Sequence, residues 1–250
     1  MSMSIIFVVL IAGYILSSIK SDIEPLRYGL LVVHALTIGV LLVNVKVSDP
    51  KLGLLLVGGI VSASAVFISK KDKWKTMVSP LLGVVSILLT LSLLAPVPSN
   101  SPIEVQTWVA LHIMLILVGY IGCIAAGLLS GVYIFVQHKL KEKSLKTVVR
   151  YPSLSLLEKY FSVGIWFGVL GLFTGVTSGV LWGVHTTSLS WDFTTISSLV
   201  LLGWYSIALL GKISGRSPRW GAWMSVVGIS GLMICFFLSA VIGSWHVGTV

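Results

Sequence analysis

Five histidines carry the widest chemical repertoire in this 250-residue chain, and they are unevenly placed. An imidazole can ligate a metal through a ring nitrogen, move a proton near neutral pH, or hold a buried hydrogen bond. His34 lies in "RYGLLVVHALTIGV", His112 in "WVALHIMLILVGY", His185 in "GVHTTSLSWD" and His246 in "GSWHVGTV". His138 ends an apolar run and opens the basic segment "HKLKEKSLK". The two cysteines, Cys123 and Cys235, sit inside apolar runs without a CxxC or any metal-ligand spacing, and read as small core residues. The chain has no P-loop, no HExxH, no GxSxG and no pair of carboxylates within an apolar stretch. A proton-driven transporter would be expected to bury an acid in the membrane, so the candidate chemistry belongs to imidazole.

The elements that position these rings follow from composition. The chain is 56% hydrophobic and 10% charged, with a mean hydropathy of +1.02. A soluble domain carries about 25% charged residues. The surface must therefore face lipid, and long unbroken apolar runs specify helices, since a barrel strand would alternate apolar and polar residues. With about 20 residues per crossing, the sequence predicts an all-α, polytopic transmembrane helical bundle forming a single integral membrane domain over 1–250. It has eight spans, at about 4–19, 27–45, 52–69, 76–95, 107–137, 160–183, 194–211 and 221–244. The fifth projects beyond the bilayer at its C-terminal side. The first run, Ser4 to Ser18, lacks a basic start and a cleavage site and reads as a retained helix.

The net charge of +9 is a loop property, not a nucleic-acid signature. With the N-terminus outside, 15 of the 17 basic residues fall in inner loops, and only Lys46 and Lys51 fall outside. The excess of Lys and Arg on cytoplasmic loops thus sets an N-out, C-out orientation. "KLKEKSLK" then becomes a solvated inner loop that favours anionic headgroups.

In that orientation His112 lies about one turn inside the outer end of span five, His185 in the loop after span six, and His246 just beyond span eight. His34 is the one histidine at depth. For His34 two readings stand open, a buried structural hydrogen bond and ligation. His112 with His246, on two helices at one face, points to ligation, and imidazole is a favoured axial ligand of haem iron. Trp108, Trp182, Trp191 and Trp245 gather near the outer face, as an aromatic belt would. Trp191 with Asp192, beside Trp182, would also form an aromatic floor for an exposed haem edge. Gly164, Gly168, Gly171, Gly175, Gly179 and Gly183 recur every three or four residues along span six. They form one small-residue face, suited to close helix packing or to a wall beside a flat cofactor.

These segments resemble the CcsA/HemX-like cytochrome c assembly proteins. "WVALHIMLILVGYIGCIAAGLLSGVYIF" is similar to that family's pattern of Trp, His, Gly-Tyr and small residues. "SGVLWG", "SLSWD" and "WYSIALLGK" resemble its tryptophan-rich outer segment and the following helix, and "AVIGSWHVG" its closing histidine segment. Span two and spans five to eight carry the likeness. The resemblance implies haem handling, with two outer histidines flanking the tryptophan-rich segment as iron ligands. Those positions match His112 and His246, and a further family histidine assigned to haem within the membrane matches His34. Two departures matter. Only Ser190, Trp191 and Asp192 remain of the tryptophan-rich core, and the family histidine of the next helix would fall at about Leu210. The second removes the obvious partner of His34 and tilts the likeness toward the HemX branch, a haem-pathway accessory and not a full synthase.

The expectation is therefore a multi-pass protein of a bacterial or archaeal cytoplasmic membrane, or of an organelle membrane of similar origin. It would bind haem, haem b by expectation, at its outer face in cytochrome c biogenesis, as an assembly factor more than a stand-alone enzyme. His112 and His246 would be axial ligands. Trp191, Asp192 and Trp182 would hold the haem edge, His34 would contact haem or a lipid on its way outward, and His185 would compete as a ligand. Partners would be haem, the lipid bilayer, an apocytochrome c and a second membrane assembly subunit. Two rival classes are a haem b/quinone electron-transfer subunit, which needs stacked bis-histidine pairs through the bilayer, and a regulatory membrane subunit without a cofactor.

Overall fold

A computed structural model describes residues 3–19, 24–44, 50–70, 72–94, 107–143, 148–185 and 193–242. Among them there is no strand. The helices are α1 (Met3–Ile19), α2 (Glu24–Asn44), α3 (Pro50–Ser69), a 3₁₀ segment (Asp72–Met77) leading into α4 (Val78–Leu94), α5 (Thr107–Lys141), α6 (Leu154–His185), α7 (Phe193–Ile213) and α8 (Pro218–Ile242). Five stretches are long and apolar enough to cross a membrane: Trp74–Leu93, Leu111–Lys141, Leu154–His185, Thr195–Ile213 and Pro218–Leu238. Shorter apolar stretches, Ile6–Ile19, Leu26–Gly39 and Gly53–Ser69, stand where the first three spans were expected. The chain is a multi-pass helical membrane protein.

The described helices form two compact units, α1–α4 and α5–α8. In the first, α1 packs on α2 and α4, and α3 packs on the same two, so four helices close a ring. The inward residues of α1 are Phe7, Leu10, Tyr14 and Ser17, and those of α2 are Arg27, Leu30, His34 and Thr37. Both sets follow the 3-4-3 spacing that keeps one helical stripe facing inward. Five of these eight residues are polar or carry a polar tip. In an apolar surround each such group needs a partner, and Arg27 Nε donates to Ser17 Oγ across the α1–α2 contact at 3.2 Å.

The second unit is organised by α5 and α6. The glycines of α6 meet the backbone of α5 directly. A Cβ at Gly164 would stand 2.8 Å from Ala126 N. One at Gly119 would stand 2.6 Å from Leu172 N, and one at Gly122 would collide with Gly168 N. Side chains cannot separate the two helices here, so van der Waals contact runs backbone to backbone. The glycine stripe is thus a packing seam filled by α5 from Gly164 to Gly179.

Tyr205 of α7 then ties three helices together. Its hydroxyl lies 3.2 Å from Cys123 O of α5 and 3.3 Å from Ser225 O of α8. Gly228 leaves the room its ring needs, 2.7 Å from where a Cβ would be. Cys123 is fully buried, and both cysteines carry free thiols.

Local signals end the helices. Ser153 caps α6, its Oγ accepting from Leu156 N at 3.4 Å. Gly215 closes α7 at φ +76°, with Arg216 N donating to Gly211 O at 3.0 Å and Gly215 N to Lys212 O at 3.1 Å. That bond pair is the Schellman closure, which favours glycine at the left-handed position. Pro218 follows at the first turn of α8, where its missing N–H costs nothing. Every lysine and arginine described in this unit falls at the end where α5 and α7 finish and α6 and α8 begin.

Candidate functional site

His112 lies in the second turn of α5, at the end of the second unit opposite the basic residues. Its Nδ1 is 2.7 Å from the backbone carbonyl oxygen of Gly175 on α6. A carbonyl can only accept, so the ring proton is on Nδ1 and the neutral imidazole carries its lone pair on Nε2. Ser178 Oγ donates to the same carbonyl at 2.7 Å and lies 3.4 Å from His112 Nδ1. The Gly175 oxygen thus gathers two donors. The ring fits only because residue 179 has no side chain: a Cβ there would be 2.6 Å from His112 Cε1 and 2.8 Å from Nδ1. The ring is half-buried.

Trp182 and His185 close α6 at this same end, one and two turns beyond Gly179. Trp182 is half-buried and His185 exposed. The fold therefore brings His112, Trp182 and His185 to one end of one unit. Trp191, Asp192 and His246 lie outside the described residues.

His34 belongs to the other unit and has a different setting. It is fully buried. Its Nε2 is 3.1 Å from Leu55 O on α3, and its Nδ1 is 3.1 Å from Tyr14 OH on α1. Leu55 O can only accept, so Nε2 carries the proton and Nδ1 accepts from the tyrosine. Tyr14 OH in turn lies 2.8 Å from Ser62 Oγ on α3, which donates to it. Both ring nitrogens are engaged, and three helices are joined through one imidazole. The ring reaches the α3 backbone over Gly58 and Gly59, where added Cβ atoms would lie 3.3 Å from Cε1 and 3.8 Å from Nε2.

His138 is an exposed residue of the basic end, with Nε2 3.0 Å from Glu142 Oε1, as its Lys-rich surround predicts. No group of three or more His, Cys, Asp or Glu side chains converges on a metal position among the described residues.

Sequence reading found the histidines but missed what holds them. Gly175 and Gly179 were legible only as part of a glycine stripe, and Ser178, Tyr14, Ser62, Gly58 and Gly59 not at all. The Gly-Gly pair inside the apolar third helix was the available signal, since helix interiors disfavour glycine unless something must approach.

A membrane helical bundle with an imidazole set by backbone at one end defines the class. The sequence matches the Cytochrome C assembly protein family over residues 3–246, and the chain belongs to that family. No curated protein and no solved structure matches it.

Proposed function

We propose that this protein binds haem at its outer face during cytochrome c maturation, with His112 and His246 as the axial ligands. The observation that carries the reading is the 2.7 Å hydrogen bond from His112 Nδ1 to Gly175 O. Metal-ligating histidines characteristically donate their other ring N–H to a carbonyl or carboxylate, which fixes the tautomer, orients the ring and raises its basicity. Here that bond directs the lone pair to Nε2, as an axial ligand requires, and Gly179 gives the ring its place. Trp182, one turn beyond Gly179, offers an apolar wall, and Trp191 and Asp192, which follow it in sequence, are assigned to the haem edge. His185, exposed on the last turn of α6, is the alternative to His246 as second ligand.

The donor set suits haem. His112 and His246 would supply imidazole donors, which suit a porphyrin iron whose potential depends on ligand identity and burial. When bound, the group would supply a redox-active iron, with haem b the expected form. The chain's own task is then to hold one ligand state and keep the haem edge accessible to an apocytochrome c or a second assembly subunit. The cytoplasmic membrane of a bacterium or archaeon, or an organelle membrane derived from one, is the setting this role implies. A transmembrane electron-transfer role finds no support at His34, whose lone pair is committed to Tyr14.

The test is the absorption spectrum of the detergent-purified protein, wild type beside His112→Ala and His246→Ala. A six-coordinate haem spectrum that is lost or converted in each single variant supports the reading. A wild-type protein that is colourless and stays so after haem is added overturns it.

A further inference from the structure

The basic end of the second unit holds a feature that haem ligation does not use. Helices α5 and α8 touch tightly at Gly127 and Ile229, where a glycine Cβ would stand 2.5 Å from the isoleucine side chain. One turn nearer the basic end the contact has loosened. A Cβ at Gly131 would have only Val226 Cγ2 near it, at 4.0 Å. Beyond that the helices enclose a cleft of about 380 Å³. Its walls change character along its length. Gly131, Ile134, Phe135 and Trp223 line it toward the apolar stretch, whereas His138, Lys141 and Arg219 line it at the rim.

The cations of this region are not equivalent. Lys139 Nζ is 2.7 Å from Glu142 Oε2 and 5.9 Å from the centre of the Phe135 ring. His138 holds the other oxygen of Glu142. Lys139 beside it keeps the Glu142 carboxyl below the usual carboxylate range, so this acid is charged and already engaged. Arg216 stacks over Trp220 at 4.8 Å. Lys141 and Arg219 have no ion pair and no ring contact among the described residues. They face one cleft without an anion to share. Arg219 also stands in the first turn of α8, where the helix dipole favours negative charge.

We propose that this cleft is a binding site for one anionic phospholipid, its phosphate between Lys141 and Arg219 and the start of an acyl chain along Ile134, Phe135 and Trp223. A cationic rim above an apolar, aromatic trough matches a headgroup followed by hydrocarbon. The exposed indole of Trp223 sits where amphipathic rings prefer to lie, at headgroup level. The rim belongs to the leaflet faced by the basic loops, whose surface carries the negative lipids.

The test is native mass spectrometry of the full chain released from phosphatidylcholine vesicles made with and without phosphatidylglycerol. Wild type should retain one phosphatidylglycerol in preference to phosphatidylcholine. A charge-assisted hydrogen bond to the phosphate is worth about tenfold, so the double variant Lys141→Gln/Arg219→Gln should lower retention by about 100-fold. Arg216→Gln removes the same kind of charge outside the cleft and should change retention by no more than the about fivefold of diffuse surface attraction. Equal retention of phosphatidylcholine, or an equal loss in Arg216→Gln, would overturn the site in favour of diffuse surface charge. Displacement of the lipid by inorganic phosphate alone would overturn it in favour of a soluble anion. Circular dichroism of each variant separates loss of lipid from loss of fold.

Discussion

His34 and His112 are the same side chain in two settings, and the proton sits on opposite nitrogens. His34 donates from Nε2 to Leu55 O and accepts at Nδ1 from Tyr14. His112 donates from Nδ1 to Gly175 O. The first ring is fully buried and joins three helices. The second is half-buried near a helix end. A backbone carbonyl is the anchor in both, so having an anchor does not separate a structural imidazole from a ligand. The two differ in which nitrogen is anchored. A hydroxyl donor on Nδ1 makes His34 a bolt for the first unit, whereas the anchor of His112 leaves the lone pair on Nε2.

The comparison is broken or sharpened by substitution. His112→Ala should have the largest effect. Loss of an orienting partner alone costs about 10- to 100-fold in metal affinity, so loss of the ligand itself should lower haem affinity by about 100-fold or more, read by haem titration. His34→Ala should leave the haem spectrum unchanged. It should destabilise the protein by about 2 kcal/mol through a cavity and lost hydrogen bonds, read by thermal or denaturant unfolding in detergent. If His34→Ala instead bleaches the haem, the two histidines share one task and the contrast fails.

Gly179→Ala comes next. Its Cβ would press on His112 Cε1, and a displaced ring should lower haem affinity by about tenfold, the low end for a disturbed orienting shell. Gly168→Ala is its control. It crowds the same seam at Cys123 Sγ, away from His112, and should change stability without changing the spectrum. Tyr14→Phe should have the smallest effect. Interhelical hydrogen bonds in membranes average about 0.6 kcal/mol, so losing its two contacts to His34 and Ser62 should cost about 1 kcal/mol in unfolding and nothing in haem binding.

Much of the fold was legible because lipid imposes a coarse rule. Apolar length gave the positions of the helices, and they recur at every expected span, with α5 and α6 running further than the apolar runs alone suggest. The two readings of the span-six glycines could not be separated in sequence, since a face without side chains suits a flat ligand and a neighbouring backbone equally. The seam with α5 decides between them. The site was half legible. An imidazole among apolar residues announces itself, but its partners do not. Leu55 and Gly175 act through carbonyl oxygens that every residue type carries, so no side-chain pattern encodes them. The His34–Tyr14–Ser62 connection spans 48 positions from Tyr14 to Ser62, and only the closed ring of four helices brings them together.

The seam between α5 and α6 also decides how the proposed His112 site can fail. Its anchor is a main-chain oxygen, which no substitution can delete. Its clearance is the absence of an atom at position 179, which every substitution would fill. Most binding sites are lost by subtraction, when a contacting group is trimmed away. On the α6 side this one is proof against trimming and open to damage by growth, since a single added methyl group does what the removal of a side chain does elsewhere.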